Sequence, residues 1–302
     1  MDTHLIPGAR FVDPKVLSRV KDLELLAKSV VDGFINGLHR APYFGASIDF
    51  AEHRGYVAGD DIRRVDWRLY ARTDRYYIKQ YEADTNANLS VLVDVSKSMA
   101  FASQGVSKLE YGKFLAACIA YLSHRQRDRV GIVTFDSEIV AHVPPSAKHF
   151  NVLLHTLDRA VPERPGRLLA NLSLLAEHFK RRSIVALISD LYESPEALVE
   201  VLKPYAFLGN DLVVFHVLDP AEIEFPYNEP SRFVDLESGE EVPVVPEGFA
   251  DQYRKLMQEH ISALRTKCTD ARIDYVLLDT SKPLDEALFH YLGNRERLMR
   301  VR

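Results

Sequence analysis

Two rhythms of apolar and polar residues run along this chain, and the points where one replaces the other divide it. From Pro14 to about Phe34 the apolar residues Val16, Val20, Leu23, Ala27, Val30 and Val31 recur at helical spacing, predicting one amphipathic helix closed by Gly33 and Gly37. A polar stretch punctuated by glycine follows, after which YYIKQYEAD alternates like a half-exposed strand. From Asn88 the pattern changes to apolar runs separated by helical segments. LSVLVDV, SIVALIS and DLVVFHVL are continuous, as in strands covered on both faces, and IDYVLLD is expected to be a last strand. RVGIVTF and EIVAHV flank Asp136-Ser137 as a hairpin. Helices are expected from Ser107, where Glu110 three residues on makes a capping box, to about Arg125. Others are expected over His149 to Asp158, Ala170 to Arg181, Pro195 to Leu208, Gly248 to Cys268 and Leu284 to Leu292.

This alternation predicts an α/β fold built on a doubly wound, mostly parallel sheet. Residues 86–293 are expected to form that main domain, with a Pro-rich, acidic insertion carrying a small hairpin at about 220–246. Residues 1–85 are expected to be an N-terminal helical and charged, partly extended segment packed on it.

The composition, 47% hydrophobic and 27% charged, is that of an ordered globular chain. A net charge of −5 argues against a nucleic-acid groove. No apolar stretch approaches the roughly 20 residues of a membrane span, and the start, MDTHLIPGARFVDPK, lacks the apolar middle of a signal peptide. A cytoplasmic location is the expectation. Cys118 and Cys268 are expected to be buried free thiols.

In an open parallel sheet, ligands collect beyond the carboxyl ends of the strands. Asp94, Ser96 and Ser98 stand there after LSVLVDV, and Asp190 stands at the matching place after SIVALIS. Two carboxylates and two hydroxyls suit a hard cation such as Mg²⁺ or Mn²⁺ that keeps some water ligands. The same residues also serve as helix caps and turn formers, which is the competing reading.

The Asp-x-Ser-x-Ser pattern resembles the metal-ion-dependent adhesion site (MIDAS) of the von Willebrand factor type A fold. A longer stretch, DFAEHRGYVAGDDIRRVDWRLYARTDRYYIKQYEADTN, with LVDVSKSM, KRRSIVALISDL, VFHVLDPAEIEFP and YVLLDTSKPLDEAL, resembles a bacterial family within that fold, the domain of unknown function 58 family. The resemblance implies that Ser96 and Ser98 bind the metal directly and that Asp94 and Asp190 act through water. The threonine expected from a second loop is missing: RPGRLLANL stands there, and Arg167 is a candidate substitute for the cation against Asp94 and Asp190. The resemblance further implies a partner, a MoxR-type AAA+ ATPase, and a role in assembling or maturing other proteins.

Around Trp67 and Tyr70, Asp60, Asp61, Asp66 and Asp74 are interleaved with Arg63, Arg64, Arg68, Arg72 and Arg75. The pattern reads as a network of paired charges, or as a partner-binding surface using Arg63, Arg64, Trp67, Arg68 and Arg72. Neither serine sits in a nucleophile elbow, no base is assignable from the sequence, and there is no P-loop. The resemblance to the type A fold, in which a held cation is completed by a carboxylate of the partner, implies a non-catalytic interaction adaptor, with a metal-free scaffold, and lastly a hydrolase, as alternatives.

Overall fold

The computed structural model of the chain describes residues 13–40, 53–56, 65, 67–79, 87–179 and 183–300. It divides into two compact units, Met1–Arg10 with Gly33–Thr85, and Phe11–Asp32 with Asn86–Arg302.

Where one N-terminal helix was expected there are two, α1 (Pro14–Leu17) and α2 (Leu23–Arg40). Two aspartates explain the break. The Asp13 carboxylate accepts from Lys15 N–H at 2.8 Å, and that of Asp22 accepts from Glu24 and Leu25 N–H at 2.9 and 3.1 Å, so each caps its own helix. Gly33 and Gly37 do not end α2, because a glycine inside a helix costs only about 1 kcal/mol relative to alanine and does not stop it.

In the smaller unit, β1 (His53–Gly55) pairs antiparallel with β2 (Tyr77–Lys79), and α3 (Trp67–Thr73) lies between them in sequence. Tyr70 and Tyr76 stack at 4.5 Å, and Trp67 meets Tyr70 edge-on at 6.1 Å. Residues 80–84 of the expected strand lie outside the described residues.

The larger unit is built on six strands: β3 (Asn88–Asp94), β4 (Arg129–Phe135), β5 (Ile139–Ser146), β6 (Ile184–Ser189), β7 (Asp211–Leu218) and β10 (Asp274–Asp279). Their order is β10-β7-β6-β3-β4-β5, parallel throughout except for the β4–β5 hairpin. This is the doubly wound α/β sheet the sequence predicts. Residues of β3, β6 and β7 are buried almost without a gap because helices cover both faces. On one face, Leu92, Val133, Val185, Leu187 and Val214 pack against α6 (Leu168–Ala176), α7 (Pro195–Phe207) and α9 (Pro246–Asp270). On the other lies α4 (Lys108–Arg125), flanked by α5 (Phe150–Arg159) and α10 (Asp285–Arg300). The capping box that opens α4 is formed: Ser107 Oγ accepts from Glu110 N–H, and the Glu110 carboxylate accepts from Ser107 N–H. Cys118 and Cys268 are buried and unpaired, as expected.

Helix α6 begins two residues earlier than expected and ends at Ala176; residues 180–182 lie outside the described residues. The insertion holds α8 (Pro220–Glu224) and the expected hairpin, β8 (Ser231–Val234) with β9 (Glu241–Val244).

Candidate functional site

An aspartate stands at or just beyond the carboxyl end of every parallel strand: Asp94, Asp136, Asp190, Asp219 and Asp279. Three of them turn back on their own loops. Asp136 holds Glu138 N–H, Asp279 holds Ser281, and Asp219 caps α8 through Ala221 N–H while accepting both N–H and Oγ–H of Ser103. Asp94 and Asp190 differ because β3 and β6 are neighbours whose connections run off in opposite directions, the topological switch point of the sheet.

Both are buried. One Asp94 oxygen accepts from Ser96 N–H at 2.9 Å and the other from Ser189 Oγ–H at 2.7 Å. Burial, and next the charge of Asp190, push the Asp94 carboxyl up to about 7, against the pull of these hydrogen bonds.

The cation at this site is Lys108. Its ammonium, wholly shielded from solvent, lies 2.8 Å from Asp190 and 2.7 Å from Glu222 of α8, with the Tyr192 ring 5.0 Å away. Burial alone would lower its pKa; the two carboxylates outweigh burial and hold it above the ordinary value. The expectation that Arg167 fills this role is corrected. Arg167 is exposed, its backbone N–H is bonded to the Asp136 carbonyl as α6 begins, and among the described residues it forms no ion pair with Asp94 or Asp190. Lys108 reaches Asp190 because α4 starts directly over the ends of β3 and β6.

Above the carboxylates two loops meet. Ser96 and Ser98 place their hydroxyls 3.1 Å apart, at the start of a short 3₁₀ turn (Lys97–Ala100). Lys97 N–H donates to Arg164 O at 2.9 Å, joining this loop to residues 164–167. Gly166 makes the approach possible: a Cβ there would stand 3.0 Å from Ser96 Cβ, tighter than ordinary contact. A third element reaches the same place. From the turn between β8 and β9, the Glu237 carboxylate accepts from Ser98 N–H at 2.9 Å and from Gly166 N–H at 2.7 Å.

The chain matches, over residues 52–265, the family described as "Protein of unknown function DUF58". It belongs to the DUF58 family. An uncharacterized protein of Mycobacterium tuberculosis is 29% identical over 233 residues, covering 75% of this chain and 73% of that one, and its Mycobacterium bovis counterpart matches equally. Among solved structures, BatB from Bacteroides thetaiotaomicron is 19% identical with a TM-score of 0.47, covering 70% of this chain and 99% of its own. An aerotolerance-related membrane protein from Bacteroides fragilis is 17% identical, also with a TM-score of 0.47, covering 67% and 96%.

In this DUF58 chain the two serines and two aspartates meet at the strand edge, and among the described residues no group of three or more His, Cys, Asp or Glu side chains is gathered to hold a metal ion. Ser96 and Ser98 offer two adjacent hydroxyl oxygens, and Lys108 pairs with Asp190 and Glu222 while Asp94 stands beside the like charge of Asp190. The loop where the threonine was expected, RPGRLLANL, has none, and Gly166 there contributes its N–H to the Glu237 carboxylate.

Of the residues expected to bind a partner, Trp67 (56% exposed) and Arg72 are open to solvent on α3 in the smaller unit. Arg63, Arg64 and the side chain of Arg68 lie outside the described residues. Sequence reasoning missed Lys108, Ser189, Glu222 and Glu237. Lys108 carried a signal, since a lysine in the first turn of a helix opposes the helix dipole and needs an acidic neighbour. Glu237 carried none.

Proposed function

We propose that this chain is a non-catalytic protein-interaction adaptor whose recognition surface is the edge formed by Asp94, Ser96, Ser98 and residues 164–167, within a main domain of about residues 86–293. The observation that carries this reading is the convergence, over buried charges at the switch point, of the hydroxyls of buried Ser96 and half-buried Ser98 with two backbone N–H groups that already hold a carboxylate, that of Glu237. Ser96 and Ser98 hydrogen-bond to each other, and among the described residues no histidine or lysine is bonded to either, which supports binding over hydrolysis. Mg²⁺ or Mn²⁺ would sit on Ser96 and Ser98, and when bound would strengthen the hold on a partner's carboxylate.

The partner proposed is a MoxR-type AAA+ ATPase, in assembly or maturation of other proteins in the cytoplasm; the support for that step is the family resemblance. Among the described residues no helix is long and apolar enough to cross a membrane. A metal-free scaffold is the second reading, favoured by Lys108, which already balances Asp190. Surface-immobilised chain exposed to the ATPase from the same genome tests the adaptor: binding should be lost in Ser96→Ala/Ser98→Ala with folding intact. If binding instead follows Trp67→Ala and Arg72→Ala alone, the recognition surface is the charged segment. If neither the wild type nor any variant binds, the ATPase partnership is wrong.

A further inference from the structure

The β8–β9 hairpin projects from the insertion on an aromatic base. Phe225, buried and held at φ 46°, stacks on Phe233 at 5.6 Å, and Tyr227 meets Phe233 edge-on at 4.9 Å. Its turn is built internally. The Asp235 carboxylate accepts from Glu237 N–H at 2.8 Å and from Ser238 Oγ–H at 2.7 Å, while Gly239, at φ 77°, returns its N–H to the Asp235 carbonyl at 2.7 Å. These bonds hold the turn so that the half-buried Glu237 carboxylate meets the strand-edge loops. The Ser98 and Gly166 amides come from loops that are 68 residues apart in sequence yet tied together by the Lys97 N–H to Arg164 O bond. Two such amides sharing one carboxylate form a compact anion site made of backbone alone, and a charge-assisted pair of this kind is roughly twice as strong as neutral hydrogen bonds.

We propose that the hairpin turn is a built-in ligand: Glu237 occupies in cis a carboxylate site made by the Ser98 and Gly166 amides, and an acidic protein partner engages that site by exchanging its own carboxylate for Glu237. The occupancy stands on the geometry; the exchange rests on the interaction reading above. The device keeps the edge covered until a partner of the right chemistry competes, and a ligand tethered in the same chain competes at a high effective concentration.

Amide hydrogen exchange followed residue by residue tests this on the isolated chain. In Glu237→Ala the Ser98 and Gly166 amides should exchange at least about tenfold faster than in the wild type, with Glu237→Gln between them and the β8–β9 ladder amides unchanged. Sodium acetate in large excess, the simplest carboxylate, should slow these two amides in Glu237→Ala and leave the wild type as it was. Equal exchange at both amides in wild type and Glu237→Ala overturns the proposal. Acetate slowing the wild type and the variant alike overturns it too, since the site would then be open in the native chain. Loss of ATPase binding with the Glu237 effects intact would instead count against the adaptor reading.

Discussion

Lys108→Met isolates the buried charge at the strand edge. Methionine keeps most of the lysine stem beneath Tyr192, so the change removes chiefly the ammonium that meets Asp190 at 2.8 Å and Glu222 at 2.7 Å. Lys108 is fully buried and both carboxylates are largely so, so solvent does little to screen the charges left behind. Removing one partner of a buried pair costs about 3–5 kcal/mol, mostly the cost of an unpaired buried charge. At about 2–4 °C per kcal/mol for a domain of this size, the midpoint of thermal unfolding should fall by roughly 6–20 °C. Circular dichroism against temperature, with urea unfolding at neutral pH, reads this out. The triple variant Lys108→Met/Asp190→Asn/Glu222→Gln should recover much of the loss, because replacing the whole ionic group is far milder than orphaning part of it. A Lys108→Met protein within about 1 kcal/mol of wild type would refute the reasoning, since the median exposed salt bridge is worth that much or less.

Two further outcomes follow from the same edge. Mg²⁺ or Mn²⁺ should stabilise the wild type but not Ser96→Ala/Ser98→Ala, by about 2.7 kcal/mol at a hundred times the dissociation constant, and so raise its unfolding midpoint; calorimetry showing no heat and no shift in the wild type would remove the cation. His216 is buried neutral, its Nε2–H donating to the Asp190 carbonyl at 2.8 Å and its Nδ1 accepting from Tyr275 Oη at 2.6 Å; burial, with His260 nearby, lowers its pKa from 6.5 to about 3. Because the unfolded chain binds the proton that the folded one refuses, this contribution is complete above pH 6.5 and is lost on acidification, by about 2 kcal/mol between pH 7 and pH 5. Asp94, raised to about 7, contributes with the opposite sign over the same range in both proteins, so urea titrations should show stability-against-pH slopes that differ between wild type and His216→Gln by the His216 contribution, and an identical slope in the two proteins would contradict it.

The sheet was legible because its strands are apolar runs covered on both faces, a signal that needs no knowledge of the partner strand: LSVLVD and IVALIS became β3 and β6 with their aspartates at the predicted edge. Local chemistry was equally readable where donor and acceptor are neighbours in sequence, as in the Ser107–Glu110 box. The N-terminal helix misled because period alone does not see a second cap inside an apolar pattern; Asp22 carries that information and outweighed Val20 and Leu23. The cation was misassigned because Arg167 is close to the site in loop order, whereas Lys108 is close to it in space, 82 residues from Asp190. Glu237, 139 residues from Ser98, belongs to the same class of contact, and composition treats it as one more acidic residue of a polar turn.

The insertion is joined to the edge at two places, which changes what it is. At its entry, Asp219 caps α8 and clamps Ser103 in the loop that follows the serine motif, while Glu222 of the same capping box shares Lys108 with Asp190. At its tip, Glu237 bridges Ser98 and Gly166. The first attachment is buried and ionic, and breaking it leaves a stranded charge. The second is a pair of hydrogen bonds at a partly exposed carboxylate, each worth about 1.5–3 kcal/mol net as a bond to a charged group, where water or another carboxylate can replace what is lost. The proposed exchange at the edge would therefore break only the two Glu237 hydrogen bonds and leave the Asp219, Glu222 and Lys108 attachment beneath it intact.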